Sequence, residues 1–265
     1  MPILIDRPPT AVEVERLRLL LSTYQDGTGM LPTSGNRTLP GWRDFERACA
    51  LAFGGLAVES KFFVDVIFTL GTTPQTFYGV DCKMRNQLRS FDNKQIIYVE
   101  VLNAAAQLWT HLNSLGITES NIRQRAQQAG DALLESIESA KSAAATSYPD
   151  GPIDIDNSYY FVLLWNKSGD YQLFQLPLAL PKPVDLTWSV SASNSRLIGQ
   201  SNSSVLYEWY GTSGGQFKYY PNMDAVLWRS ERFQLEPLPT EIEEGTIARA
   251  KVYFPEQWAA VADTG

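Results

Sequence analysis

Apolar residues recur at helical spacing near the start of the chain. Between Thr10 and Tyr24, Val and Leu repeat every three or four residues among Glu and Arg, which predicts an amphipathic helix. A loop rich in Gly, Pro, Ser and Asn follows from Asp26 to Asn36. A second helix is predicted from about Pro40 to Phe53, because Gly54-Gly55 then provides a stop signal.

Two apolar stretches after the second helix have the composition of neighbouring β-strands. Residues Lys61 to Leu70 are dense in Phe, Val and Ile, and Phe77 to Met84 form the return strand. The segment Gly71-Thr72-Thr73-Pro74 between them has turn chemistry. We therefore expect a hairpin, or two adjacent strands of one sheet.

The middle of the chain combines helical patterns with a second hairpin. From Asp92 to Leu112 apolar residues recur at three- and four-residue steps, and an Ala- and Gln-rich pattern runs from Thr118 to Ala145. Both patterns predict helices. After a breaker region from Ser147 to Asn157, the stretches Tyr159 to Trp165 and Tyr171 to Leu178 flank a turn sequence and predict a β-hairpin.

The order of these elements predicts an α/β domain with a β-rich C-terminal part. Beyond Pro183 the pattern becomes short strands with many Ser, Asn, Gly and aromatic residues. We predict a core with N-terminal helices over residues 1–180, and a β-rich C-terminal subdomain over residues 181–265.

Composition and charge restrict the class of protein. Hydrophobic residues make up 44% and charged residues 19%, as in a packed globular protein. Cys49 and Cys82 are too few for a disulfide framework or a four-cysteine zinc site, so both are expected to be buried thiols. The start of the chain lacks a signal-peptide pattern, and polar residues interrupt the charge-free run Val101 to Thr118, so we expect a cytoplasmic protein without membrane contact.

The net charge of −7 argues at first against nucleic-acid binding, but the charge is unevenly distributed. Residues 236–265 hold six acids and two bases, a net of −4. By contrast, Lys83, Arg85, Arg89 and Lys94 form a small local positive patch.

Asp81 and Lys83 lie two residues apart on the predicted strand Phe77 to Met84. Alternate side chains of a strand share a face, so these two project together while the residues between them point into the core. Asp65 lies on the neighbouring strand among Phe and Val, where a carboxylate is costly to bury without a partner or a metal. If the strands pair, the two aspartates converge.

Two convergent carboxylates form an oxygen-ligand site that suits Mg²⁺. The metal would lower the pKa of a bound water and offset the charge that develops on a reacting phosphate. Lys83 would orient the attacking water and stabilise the same charge. The predicted reaction is metal-assisted phosphodiester hydrolysis, with Asp65 and Asp81 as metal ligands and Mg²⁺ as the cofactor.

The order of these residues resembles that of the PD-(D/E)XK nuclease superfamily, which includes the Type II restriction endonucleases. The resemblance lies in Asp65 on one strand, about fifteen intervening residues, and the acid-x-Lys segment Val80-Asp81-Cys82-Lys83-Met84-Arg85, all after a helix that carries a Glu. It covers residues 40–115 in motif order, although Val64 stands where the family has Pro.

This resemblance implies specific roles and a specific fold. Asp65 and Asp81 would bind the metal, Lys83 would be the catalytic lysine, and Glu46 would be an accessory acid. Glu59 is a rival for either acidic role. The implied fold is a restriction-endonuclease-like core, a central mixed sheet flanked by helices.

Residues outside the motif are candidates for contact with DNA. Arg85 and Arg89 follow the motif directly and are expected to contact phosphates. Arg196 and Lys218 belong to a candidate DNA-reading surface in the C-terminal part, whose aromatic residues have the core as their alternative location. The further members of this surface are Tyr207, Trp209, Tyr210, Tyr219, Tyr220, Arg229 and Arg232.

Each assignment also has a structural alternative. Asp81 and Lys83 would then form an exposed same-face ion pair of little energetic value, and Asp65 and Glu46 would lie on solvated faces. His111, the sole histidine, is expected to be structural. The segment Gly211 to Gly215 lacks the Gly-Lys-Ser/Thr ending of a phosphate-binding loop and is expected to be a turn.

The sequence favours a Mg²⁺-dependent endonuclease that cuts double-stranded DNA at specific sites, as Type II restriction enzymes do. Such an enzyme is expected to act as a homodimer, because a two-fold site is cut on both strands by paired centres. Two alternatives stay open. One is a DNA-binding or protein-interaction module that does not cleave, and the other is a repair or structure-specific nuclease.

Overall fold

Two β-sheets with helices packed on them form the framework of the chain. The computed structural model describes residues 2–33, 37–58, 62–71, 75–193, 195–211, 213–239 and 243–262. The helices are α1 (Ala11–Thr23), α2 (Trp42–Phe53), α3 (Leu88–Lys94), α4 (Ala105–Ser114), α5 (Ala126–Thr146), α6 (Gly245–Tyr253) and α7 (Pro255–Ala262). The strands are β1 (Leu31–Pro32), β2 (Thr38–Leu39), β3 (Leu56–Ala57), β4 (Val66–Leu70), β5 (Thr76–Arg85), β6 (Val99–Asn103), β7 (Tyr159–Trp165), β8 (Asp170–Pro177), β9 (Thr187–Val190), β10 (Leu197–Ser201), β11 (Ser204–Trp209), β12 (Gln216–Tyr219), β13 (Trp228–Arg229) and β14 (Phe233–Gln234).

The larger sheet is a curled mixed sheet of seven strands that is flanked by helices. Its order is β13-β8-β7-β5-β4-β3, and β14 also pairs with β8. Strands β5 and β7 run parallel, whereas the other pairs are antiparallel. The predicted central mixed sheet with flanking helices is confirmed at this level, as are the β4–β5 and β7–β8 strand pairs.

The smaller sheet has five antiparallel strands in the order β6-β12-β11-β10-β9. Its strand β6 comes from the N-terminal part of the chain, while β13 and β14 of the larger sheet come from the C-terminal part. Backbone hydrogen bonds therefore join the predicted parts 1–180 and 181–265 in both sheets.

The two N-terminal helices have the ends that their sequences predict. Thr10 caps α1 in a capping box: its hydroxyl accepts a hydrogen bond from the Glu13 amide, and the Glu13 carboxylate accepts one from the Thr10 amide. Helix α2 ends at Gly54, whose φ of 77° is the left-handed conformation that favours glycine. Both predicted helices are confirmed.

Both faces of the larger sheet are covered by apolar side chains. On one face Val80 and Cys82 of β5 pack in a core with Phe45 and Cys49 of α2. On the other face the alternate residues of β7 pack with Leu88 and Phe91 of α3. The two cysteines are buried thiols, as predicted.

The smaller sheet divides the C-terminal aromatic residues between its two faces. Its inner face packs on α4 and α5 through a core that includes Trp188, Tyr207, Trp209, Phe217 and Tyr219. Strand alternation places Tyr210 and Lys218 on the outer face instead. The candidate DNA-reading surface is thus only partly available, because Tyr207, Trp209 and Tyr219 are core residues.

The prediction of a helix from Asp92 to Leu112 is wrong in its middle. Helix α3 ends at Lys94, Gln95 adopts a positive φ of 52°, and residues 99–103 form strand β6 before α4 begins at Ala105. The apolar residues of this segment have helical spacing although they form a strand, because the register of β6 with β12 shifts between Phe217 and Lys218. This irregularity breaks the strict alternation of a strand.

Two predicted boundaries also differ from those observed. Helix α5 begins at Ala126 rather than Thr118, because residues 118–125 form turns in which the Asn121 side chain accepts a hydrogen bond from the Thr118 amide. Strand β4 begins at Val66, and Lys61 lies outside the described residues. No described helix, α5 included, is long and apolar enough to cross a membrane.

Gly130 provides a test of how α5 packs on the smaller sheet. A Cβ atom at this position would lie 2.0 Å from Cδ2 of the buried Trp188. Ala in place of Gly normally stabilises a helix by roughly 0.5–1 kcal/mol, but overpacking a core costs roughly 1–3 kcal/mol. We predict that Gly130→Ala lowers the free energy of unfolding in urea, whereas Ser142→Ala on the exposed side of α5 leaves it nearly unchanged. A Gly130→Ala protein as stable as the native one would contradict this packing.

Candidate active site

Asp65 and Asp81 are neighbours across the β4–β5 pair. The last registered pair of this ladder is Val66 with Val80, and the Asp65 amide donates a hydrogen bond to the Val80 carbonyl at 2.9 Å. Asp65 thus lies beside Asp81, on the sheet face opposite to Val80 and Cys82. The structure brings the two predicted metal ligands together.

The Asp65 carboxylate is held by the backbone of β5. Its Oδ2 accepts a hydrogen bond from the Cys82 amide at 2.7 Å. Cys82 lies beyond the last registered pair of the β4–β5 ladder, so the side chain of Asp65 takes the place of a strand carbonyl. The end of β4 therefore fixes the direction in which Asp65 points.

Lys83 forms an ion pair with Asp81. The Lys83 Nζ lies 2.5 Å from the Asp81 Oδ1, and the two side chains are 22% and 10% exposed. The pair is thus largely buried rather than the exposed same-face pair of the alternative interpretation. Removing one partner of such a pair leaves an uncompensated charge in the protein interior.

The electrostatics of the site disfavour the ionised form of Asp65. Burial, followed by the charge of Asp81 and a hydrogen bond to it, raises the pKa of Asp65 to about 8, against the opposing charge of Lys83. The pKa of Lys83 is also raised: burial lowers it, but the charges of Asp81 and Asp65 outweigh that effect. One lysine therefore does not balance two adjacent carboxylates, and a proton or a cation would complete the balance.

Glu46 lies on α2, which packs against β4 and β5. It is partly buried, and its negative charge is near enough to contribute to the raised pKa of Asp65. Its rival Glu59 lies outside the described residues. Within the described residues no three His, Cys, Asp or Glu side chains are grouped as a metal site.

The donor set fits Mg²⁺ in its chemistry. Asp65 and Asp81 supply oxygen ligands, and Mg²⁺ in enzymes commonly takes one or two carboxylates while it keeps several waters. The pKa of Asp65 is raised first by burial and then by the adjacent Asp81 carboxylate, so the ionised form of Asp65 needs a compensating positive charge. A divalent cation would supply that charge.

Three of the four predicted DNA contacts belong to one row of charged residues that runs from the outer face of the smaller sheet to β5 of the larger sheet. Glu208 is opposite Lys218, and Lys218 is opposite Glu100 in the strand register. Arg196 pairs with Glu208 at 2.7 Å, and Arg85 pairs with Glu100 at 3.3 Å. We call these five residues the charged row.

The charged row leads to the aspartates, because Arg85 shares a face of β5 with Asp81 and Lys83. Its cations already have internal partners: Lys218 also lies over the Tyr98 and Tyr210 rings at 4.9 and 4.4 Å. A DNA phosphate would therefore compete with these partners. The fourth predicted contact, Arg89, is exposed on α3 and has no hydrogen bond or ion pair within the described parts of the chain.

The sequence patterns did not predict two buried polar groups, Glu208 of the smaller sheet and Lys141 of α5. Glu208 is 7% exposed and accepts hydrogen bonds from Arg196, Tyr210 and Tyr220. The sequence feature that could have indicated its burial is an acidic residue between the aromatic residues of β11. Lys141 of α5 was missed because an Ala-rich helix gave no reason to place its lysine inside.

Lys141 lies on the same side of the larger sheet as Asp81. Its Nζ donates to the Leu178 carbonyl at 3.0 Å and lies 3.4 Å from the hydroxyl of Tyr160, the β7 residue opposite Asp81. Burial lowers the pKa of Lys141, although the charges of Glu138 and Asp81 oppose that shift. Lys141 also forms an ion pair with Glu138 at 3.5 Å, so its charge is shared between that pair and the side of the sheet that carries Asp81.

The raised pKa of Asp65 predicts how stability depends on pH. Between the ordinary value of 3.8 and about 8, the folded protein keeps a proton on Asp65 that the unfolded chain releases. This stabilisation is complete below pH 3.8 and is lost as the pH rises towards 8. As the pH rises through this interval, the Asp65→Asn protein should therefore become more stable relative to the native protein. Urea unfolding in metal-free buffer measures this difference in free energy.

The matched control is Asp156→Asn, which changes an exposed aspartate outside the site. It should keep the pH dependence of the native protein. Parallel stability curves for Asp65→Asn and the native protein would show that Asp65 has no raised pKa.

Comparison with known proteins assigns this chain to no family. It matches no protein-family model, no curated protein and no solved structure.

Proposed function

We propose that this protein is a Mg²⁺-dependent endonuclease that hydrolyses phosphodiester bonds in double-stranded DNA. The observation that carries the proposal is the convergence of Asp65, Asp81 and Lys83 on one face of the β4–β5 pair. Two adjacent carboxylates and a lysine are the groups that a metal-assisted phosphodiester hydrolysis needs.

Each residue of the site has a distinct part in the proposed reaction. Mg²⁺ held by Asp65 and Asp81 would lower the pKa of a bound water and offset the charge on the phosphate. Lys83, positioned by its ion pair with Asp81, orients the attacking water and stabilises the negative charge that develops on the phosphate oxygens. Glu46 acts from α2 as an accessory acid.

The fold supports a relationship to restriction endonucleases at the level of architecture. In the resemblance noted above, the two acids and the lysine belong to adjacent strands of a central mixed sheet with flanking helices. Strands β4 and β5 are antiparallel, β7 runs parallel to β5, and α2 packs on the sheet. We propose a restriction-endonuclease-like core and site-specific cleavage by a homodimer, with one active site for each DNA strand.

The proposed DNA contacts differ in whether their side chains already have partners within the protein. Arg89 is exposed and can contact a phosphate without loss of an internal partner. Arg85, Arg196 and Lys218 would bind DNA by exchanging carboxylate or aromatic partners in the charged row. Arg89 is therefore the strongest candidate for a phosphate contact.

The catalytic assignment predicts a separation of cleavage from binding. Asp81→Ala and Lys83→Ala should each slow plasmid cleavage in Mg²⁺ by at least about 100-fold, because each removes a group that acts on the reacting phosphate. DNA affinity should change little. Lys167→Ala, which changes an exposed lysine of the turn between β7 and β8, is the matched control and should cleave like the native protein.

The native protein with EDTA should not cut. Circular dichroism must show each variant folded, since both changes break a buried ion pair. Full activity of either variant would refute the site, and DNA binding by the native protein without any Mg²⁺-dependent cutting would identify a non-cleaving module. Cuts confined to ends, nicks or lesions would identify a repair or structure-specific nuclease.

The contact assignment predicts a difference in salt dependence. Arg89→Ala should weaken duplex binding and reduce the slope of log affinity against log salt by about 1, the loss of one phosphate contact. Arg196→Ala should change the slope less, because its guanidinium is held by Glu208. Fluorescence anisotropy over a salt series measures both slopes, and an unchanged slope for Arg89→Ala would exclude it as a phosphate contact.

A further inference from the structure

A cavity of about 230 Å³ lies at the end of the smaller sheet, away from the paired aspartates. Helix α4, the turns that follow it, and the ends of β9, β10 and β11 surround it. Its apolar walls are Trp109, Ile122, Val190, Leu197 and Trp209. The space is smaller than typical drug-sized pockets and suits a single flat ring system.

The two tryptophan walls are held in place by Gly211. The Trp109 indole N–H donates to the Gly211 carbonyl at 3.0 Å, and the ring centroids of Trp109 and Trp209 lie 4.9 Å apart. A Cβ on Gly211 would lie 2.6 Å from Trp209, so only glycine allows this close contact. The aromatic walls are thus built by specific contacts.

Polar groups of both charges line the same cavity. Glu119 is exposed, and its carboxylate has no hydrogen bond or ion pair within the described residues. Arg196 also lines the cavity and places one guanidinium nitrogen on Glu208 of the charged row. Trp209 is 1% exposed, and its indole N–H has no partner among the described residues.

We propose that this cavity binds one unstacked nucleobase, and that guanine is the base it prefers. Aromatic and apolar walls favour a flat heteroaromatic ring, and proteins that bind extruded bases hold them by stacking and by hydrogen bonds to the base edge. The free Glu119 carboxylate can accept hydrogen bonds from the two adjacent donors of guanine, N1–H and the 2-amino group. Arg196 supplies a donor for the guanine O6.

The position of the cavity connects it to the proposed nuclease site. Arg196 belongs both to the cavity and to the charged row, which ends at Arg85 beside Lys83. The inference rests on the proposed function in taking the base to belong to the DNA that is cleaved. Base capture would then help to specify where the strand is cut.

Calorimetric titration with the nucleosides guanosine and inosine tests the cavity on the full chain. Guanosine carries no phosphate, so its binding needs neither Mg²⁺ nor a phosphate contact. Native protein should bind guanosine, and inosine, which lacks the 2-amino group, should bind several-fold more weakly. Glu119→Gln and Trp109→Leu should each weaken guanosine binding by at least about tenfold, through loss of a charged hydrogen-bond acceptor and of a stacking wall.

The control is Glu256→Gln, which changes an exposed glutamate of α7 and should bind guanosine like the native protein. The proposal is overturned if guanosine does not bind up to its solubility limit, if inosine binds equally well, or if both cavity variants retain native affinity. Guanosine binding without Mg²⁺-dependent DNA cleavage would leave the cavity assigned and refute the nuclease. Cleavage without guanosine binding would do the reverse.

Discussion

The hydrogen bond from the Cys82 amide to the Asp65 carboxylate holds two aspartates side by side, and the arrangement of the site follows from it. The strand register and the bond from the Asp65 amide to the Val80 carbonyl place the Asp65 backbone beside Asp81, and the Cys82 bond then fixes the direction of the carboxylate. The carboxylates of Asp65 and Asp81 are thereby partly buried together, and Lys83 forms an ion pair with one of them. This excess negative charge is unfavourable for the folded chain, and such local costs are typical of functional sites.

The surrounding strands hold the two aspartates in position. Strand β5 is paired on both sides, with β4 and β7, and residues of β7 are buried on both faces of the sheet. Between β5 and β7 the chain forms β6, α4 and α5, and thereby builds the edge strand and the helical cover of the smaller sheet. Consequently the charged row and the aspartates belong to one continuous framework rather than to two separate lobes.

Local patterns predicted the parts of the fold that depend on neighbours in sequence. The period of two over residues 77–84 placed Asp81 and Lys83 on one face, and the glycines after Phe53 marked the end of α2 correctly. Strand β6 escaped prediction because its pairing with β12 is a long-range contact, and its irregular register imitates helical spacing. The partners of Arg196 and the burial of Lys141 likewise depend on tertiary packing, which a single sequence does not reveal.

The proposed activity requires above all that a divalent cation binds between the carboxylates of Asp65 and Asp81. Crystals of the protein soaked in Mn²⁺, with diffraction measured at the manganese absorption edge, test this directly. We predict an anomalous peak that both Asp65 and Asp81 coordinate, and its loss in crystals of Asp81→Ala. Native crystals at saturating Mn²⁺ with ordered carboxylates and no peak between them would contradict the central claim.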